Sequence, residues 1–202
     1  MRKVFIVDTN YPEDFYADRA DGAIAQQILK ALGIKADLRL ALDRKHFDKA
    51  VHRACRYRCD VLHVCCHGDK DGIGLCNDRK GFAWDHFVEL FENHAPKAIV
   101  MSACCGASDD LANAFAEAPL RPEIIIGSSD ERYPTDYVAA WGLLYRRFDR
   151  SGITKQAAQR VLADICATVN PSFRYLRWDE NAARYRKFPG GGRNYEVTEV
   201  EK

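Results

Sequence analysis

The sequence predicts a three-layer α/β/α sandwich with a mainly parallel central sheet. Two observations carry this prediction. Four short runs are continuously apolar and rich in β-branched residues: Val4-Phe5-Ile6-Val7, Val61-Leu62-His63-Val64-Cys65-Cys66, Ala98-Ile99-Val100-Met101 and Ile124-Ile125-Ile126. Strands covered on both faces of a parallel sheet read this way, whereas half-exposed strands alternate. Segments with helical spacing separate these runs, and strand–helix alternation implies right-handed crossovers with helices on both faces.

Taken in order, the second strand is Ala36-Asp37-Leu38-Arg39-Leu40-Ala41-Leu42. It alternates, so it has one polar face and belongs near an edge. The first helix covers 23–32 and stops at Gly33, a C-terminal signal. The next covers 43–55, with Phe47, Ala50, Val51 and Ala54 on one face. Helical spacing recurs over 84–91, 109–116, 135–148 and 154–169. Gly72-Ile73-Gly74-Leu75-Cys76 reads as a short hairpin strand beside the main sheet. Gly190-Gly191-Gly192 cannot hold one conformation cheaply. Residues 1–188 are therefore expected to form one domain. Residues 189–202 are expected to form a flexible or extended tail, with an extended segment over 195–200.

Composition narrows the function classes. The 202 residues suit one domain, and 47% apolar content supplies a core. A net charge of +1 argues against a nucleic-acid partner. Arg174, Arg177, Arg184, Arg186 and Lys187 form a loose cluster that reads as a solvated face. No apolar run approaches the roughly 18 residues of a membrane span. The apolar stretch after Arg2-Lys3 ends at Asp8, too soon for a secretory leader. A cytoplasmic protein is expected, with its eight cysteines reduced and mostly serving as small core residues. Cys55, Cys59, Cys65, Cys66 and His67 can be drawn as a zinc site, but the spacing is loose and no second cysteine pair follows. No metal and no cofactor are expected.

The chemistry gathers at two strand ends. Val61 to Cys66 runs into His67-Gly68-Asp69, and Ala98 to Met101 runs into Ser102-Ala103-Cys104-Cys105-Gly106. Neighbouring parallel strands end on the same edge, where open α/β sheets build their sites. His67 and Cys104 would face each other there. An imidazole can take the thiol's proton and later protonate a leaving amine. Gly68 lets backbone N–H approach a bound carbonyl, and with the N–H of Cys104 it would form an oxyanion hole. Cys105 is the rival nucleophile, but adjacent residues leaving a strand point in different directions. His63 lies inside a strand and reads as packed. His46, His52, His86 and His94 read as solvated helical residues.

This pair of motifs resembles the caspase-like cysteine peptidase superfamily, and is most like a CHAT domain, a bacterial relative of caspases, separases and metacaspases. The caspase signature is Gln-Ala-Cys-[Arg/Gln/Gly]-Gly with the histidine upstream. Ala103, Cys104 and Gly106 match it. Ser102 replaces the Gln, as CHAT domains favour. The likeness covers residues 61–169, and the first sixty match only in pattern. It implies a cysteine endopeptidase with a His67–Cys104 dyad. It also implies a specificity pocket lined by Asp8, Ser102 and the Ser128-Ser129-Asp130 loop. Two carboxylates there would select Arg or Lys. The alternative is that Asp8 caps a loop and Asp130 caps the next helix. No arginine occupies these places, so cleavage after Asp is not expected. The implied setting is bacterial defence or programmed death, acting on a protein or peptide substrate, with control by an activator in trans or by self-processing.

Two other classes compete. A catalytically silent scaffold of the same fold would bind protein without cleaving it. A flavodoxin-like or receiver-like domain would need a Gly-rich turn after Val4-Phe5-Ile6-Val7, where Asp8-Thr9-Asn10-Tyr11-Pro12 stands instead.

Overall fold

A computed structural model describes residues 3–9, 11–17 and 19–189. Its sheet follows the order β2-β1-β3-β6-β7-β8-β9. The strands are β1 (Val4–Thr9), β2 (Ala36–Leu40), β3 (Val61–Gly68), β6 (Ala98–Ser102), β7 (Ile124–Ser128), β8 (Phe173–Asp179) and β9 (Arg184–Phe188). The first five run parallel, and β8 and β9 add antiparallel at one edge. The four apolar runs are thus all interior strands, and the alternating β2 is the opposite edge. A hairpin of β4 (Gly72–Leu75) and β5 (Asp78–Ala83) branches from the end of β3. The tail beyond residue 189 lies outside the described residues.

Helices cover both faces. On one side α3 (Arg44–Arg56), α4 (Trp84–Glu89) and α5 (Asp109–Glu117) pack through Phe47, Phe87, Phe91 and Phe115. On the other, α2 (Asp21–Ala31), α6 (Pro134–Ser151) and α7 (Lys155–Thr168) pack through Leu29, Trp141, Tyr145 and Phe148. Their starts follow local chemistry. Asp43, Ser108 and Thr154 each accept a backbone N–H from three residues on, capping α3, α5 and α7. Gly33 takes φ +73° just past α2, a conformation that glycine adopts without strain.

Several elements differ from expectation. A short helix α1 (Pro12–Tyr16) follows β1, started by Pro12 in its first turn. β8 and β9 were hidden by their arginines. The basic cluster lies on their hairpin: β8 sends Phe173 and Tyr175 into one core and Leu176 and Trp178 into the other, while Arg184, Arg186 and Lys187 on β9 stay exposed. His94 lies beyond α4 rather than on it, with its Nε2 3.3 Å from the Cys59 carbonyl. Cys65 enters the core opposite to that of Cys55, Cys59 and Cys66, so the cysteines drawn together from sequence do not gather at one place.

Candidate active site

β3 and β6 bring the two motifs together by register. Cys65 pairs with Ser102 at the end of β6; His67 follows two residues on, still within β3, and Cys104 lies in the turn just after β6. The backbones beyond the strands also touch. A Cβ placed on Gly68 would lie 2.6 Å from the Cys104 carbonyl oxygen. Only glycine permits that approach.

His67 is held on two sides. Its Nε2 lies 2.6 Å from Asp14 Oδ2, and the Tyr11 ring stacks on the imidazole at 4.1 Å and 13°. Asp14 is buried on α1, where its carboxylate also accepts the Tyr11 N–H and pairs with Arg19. With Nε2 donating to Asp14, Nδ1 is left as the basic nitrogen. The far side of His67 opens on a groove of about 250 Å³, lined by Tyr11, Gly68, Asp69, Gly72, Ile73 and Phe82.

Cys104 is partly exposed, and its Sγ approaches the Arg132 carbonyl at 4.0 Å. Cys105 takes φ +55°, which turns the chain sharply after Cys104. Burial pushes the Cys105 thiol up, and the charges of Cys104, Asp130 and Asp69 add to the shift. A thiol held protonated is a poor nucleophile.

Ser102 is buried and bridges two groups. It accepts from Trp141 Nε1 at 3.2 Å and donates to Asp21 Oδ2 at 3.3 Å. Asp21 opens α2 and is half-buried, and burial pushes its carboxyl up while the Ser102 bond pulls it back. Beneath it, Asp8 is only 4% exposed and accepts the Gly22 N–H at 3.1 Å. Burial pushes Asp8 up to about 7, against the Gly22 bond, and the Asp21 and Asp14 charges add to the rise. Tyr137 also points a buried hydroxyl here, without a hydrogen-bond partner among the described residues. Burial, followed by the charges of Cys104, Cys66 and Asp21, raises its phenol.

The Ser128-Ser129-Asp130 loop runs along the Cys104–Cys105 turn: the Cys105 N–H donates to the Asp130 carbonyl at 3.4 Å and the Ala107 N–H to the Ser128 carbonyl at 2.8 Å. Ser128 is buried against Ser172 at 3.1 Å and accepts the Asp130 N–H. The Asp130 side chain is exposed and already paired with Arg132 at 2.9 Å. It does not cap α6, whose N-cap is Tyr133. Of the pocket residues expected from sequence, Ser102 and Asp8 meet the start of α2 through Asp21 and Gly22, and Asp130 meets the Cys104–Cys105 turn through its backbone while its carboxylate is exposed. Asp14, Asp21 and Tyr11 were missed. The available signals were the acidic first turn after Pro12 and the acidic start of the helix before Gly33.

A mainly parallel sheet with helices on both faces, carrying His67 at the end of one strand and Cys104 in the turn after its neighbour, fits the caspase-like fold class. Solved structures place the chain there. It matches the complex of Porphyromonas gingivalis RgpB pro- and mature domains at a TM-score of 0.56 and 13% identity, over 85% of this chain and 44% of that one. It matches the Arg-specific cysteine proteinase gingipain R at a TM-score of 0.51 and 14% identity, over 73% and 36%. It matches iotapain, a secreted C11 cysteine protease of Bacteroides thetaiotaomicron, at a TM-score of 0.53 and 13% identity, over 90% and 67%. The chain thus spans less than half the length of the first two, and at these identities the likeness is one of fold. No protein-family model and no curated relative matches the sequence. Among the described residues, no helix is long and apolar enough to cross a membrane, and no three metal-ligating side chains cluster.

Proposed function

We propose that the chain is a cysteine endopeptidase in which Cys104 attacks and His67, oriented by Asp14, is the base. The observation that carries this is the approach of the Cys104 backbone to Gly68, next to a histidine whose Nε2 is already engaged by a buried carboxylate. Cys104 gives its proton to Nδ1 and attacks the scissile carbonyl. The N–H groups of Gly68 and Cys104 receive the oxyanion, each such donor being worth about 3–4 kcal/mol. The imidazolium then protonates the leaving amine, and water releases the acyl group by the same base.

The pocket beside Cys104 favours a basic residue before the cut. Asp21 and Asp8 are held above the ordinary carboxylate range by burial, so a guanidinium or ammonium entering there would lower their cost. Asp21, bonded to Ser102, is the better placed of the two. Asp130 has its own arginine and takes no part.

The CHAT branch, a cytoplasmic setting, an activator in trans and a role in bacterial defence are carried by the Ser102-Ala103-Cys104 resemblance. The test is a peptide-library cleavage screen on the purified chain, with Cys104→Ala as control. Alongside it, a peptidyl chloromethyl ketone should label Cys104. Neither cleavage nor labelling would leave the silent-scaffold reading in its place.

A further inference from the structure

The strongest charge feature of the molecule lies away from this site, along α3. Arg44, Lys45, Lys49 and Arg56 on the helix, and Arg58 just beyond it, are exposed, and Arg53 is half-exposed. None of these six cations has a carboxylate partner among the described residues. Arg39, Arg132, Arg147, Arg186 and Lys187, by contrast, are each paired with an aspartate. The aspartates at α3 are taken by histidines instead, Asp43 by His46 and Asp48 by His86. Unneutralised cations at this density repel one another and gain from an anionic partner.

Their spacing sets the shape of that partner. Lys45, Lys49, His52 and Arg56 stand at helical intervals of four, three and four, a straight stripe about 16 Å long. They line an open groove of about 500 Å³ together with Arg44 and Asp48. We infer that α3 docks an acidic helical segment of a partner protein, with Glu or Asp repeating at the same intervals. A second helix laid along the groove presents carboxylates at the same rise per residue. A single-stranded nucleic acid fits less well. The exposed ring nearest the stripe, Tyr57, sits at its end and is already covered by Arg53, so no row of rings runs along it for successive bases to stack on.

The surface also reaches the candidate site. Arg44 lies over the Phe82 ring at 5.6 Å, and Phe82 lines the groove beside His67. The docking inference does not depend on the peptidase reading, and binding alone tests it. The probe is a fluorescein-labelled, Ala-rich synthetic helix with Glu at intervals of four, three and four, read by anisotropy against the full chain at physiological salt. Lys49→Glu with Arg56→Glu should weaken binding at least tenfold. Arg174→Glu with Arg184→Glu, the same charge change on the far edge, should alter it less than twofold. Circular dichroism checks that each variant is folded, and Lys45→Ala with Lys49→Ala serves if the charge reversal is not. Equal binding of a scrambled peptide of identical composition would overturn the inference. So would tighter binding of an oligothymidylate of equal charge.

Discussion

Asp14 Oδ2 lies 2.6 Å from His67 Nε2, although the two residues come from separate elements, α1 and the end of β3. The contact fixes both the tilt of the ring and its tautomer. Asp14→Asn can offer an amide N–H to Nε2 and so move the imidazole proton to Nδ1, where the base is needed. The expected result is a fall in kcat on the order of 100-fold, with KM nearly unchanged. Wild-type kcat in Asp14→Asn would remove the aspartate from the mechanism.

The choice between two sulfurs is a second test. Cys104→Ala should abolish cleavage. Cys105→Gly should keep it, because position 105 has φ +55°, which glycine adopts freely. Cys105→Val should be less stable than Cys105→Gly by about 1–2 kcal/mol, since a β-branched residue resists that conformation. Steady-state kinetics and urea melts measure both, and activity that follows residue 105 would reverse the assignment.

Selectivity should move with Asp21 rather than Asp130. Asp21→Asn should raise KM for peptides with Arg or Lys before the cut at least tenfold and leave neutral peptides nearly unchanged. Asp130→Asn should do neither, its carboxylate being exposed and already bound to Arg132. If the two variants show the same profile, the pocket has been placed on the wrong side of Cys104.

Asp8 makes a prediction about stability and pH. Burial raises its carboxyl from 3.8 to about 7, so the folded chain keeps a proton that the unfolded chain has released. Stability from this group is present in full below about pH 4, falls as pH rises toward 7, and is flat above. Asp8→Asn keeps an acceptor for the Gly22 N–H and removes the titration. Relative to wild type it should gain roughly 2–4 kcal/mol between pH 4 and pH 8. Denaturant melts at the two pH values suffice, and parallel slopes for wild type and variant would contradict the buried charge.

Much of the fold was legible because burial on both faces of a sheet leaves a local mark. Val4-Phe5-Ile6-Val7 and Ile124-Ile125-Ile126 admit no polar residue, and the structure places both inside. The caps Asp43, Ser108 and Thr154 are equally local, because each acts within three residues of itself. β8 and β9 left a fainter mark, since Arg174 and Arg177 interrupt the apolar residues of β8 and the edge strand β9 carries exposed basic residues.

The sequence by itself determined that a histidine and a cysteine end successive buried strands, since parallel neighbours must finish on one edge. Only the tertiary structure decided which carboxylates serve them. Asp8, Asp14 and Asp21 all lie in one short stretch, and each follows a different element: Asp8 ends β1, Asp14 sits on α1, and Asp21 opens α2. Which of them meets His67 and which meets Ser102 depends on how those elements pack against β3 and β6. That packing is a long-range outcome of register and burial, and no spacing along the chain encodes it.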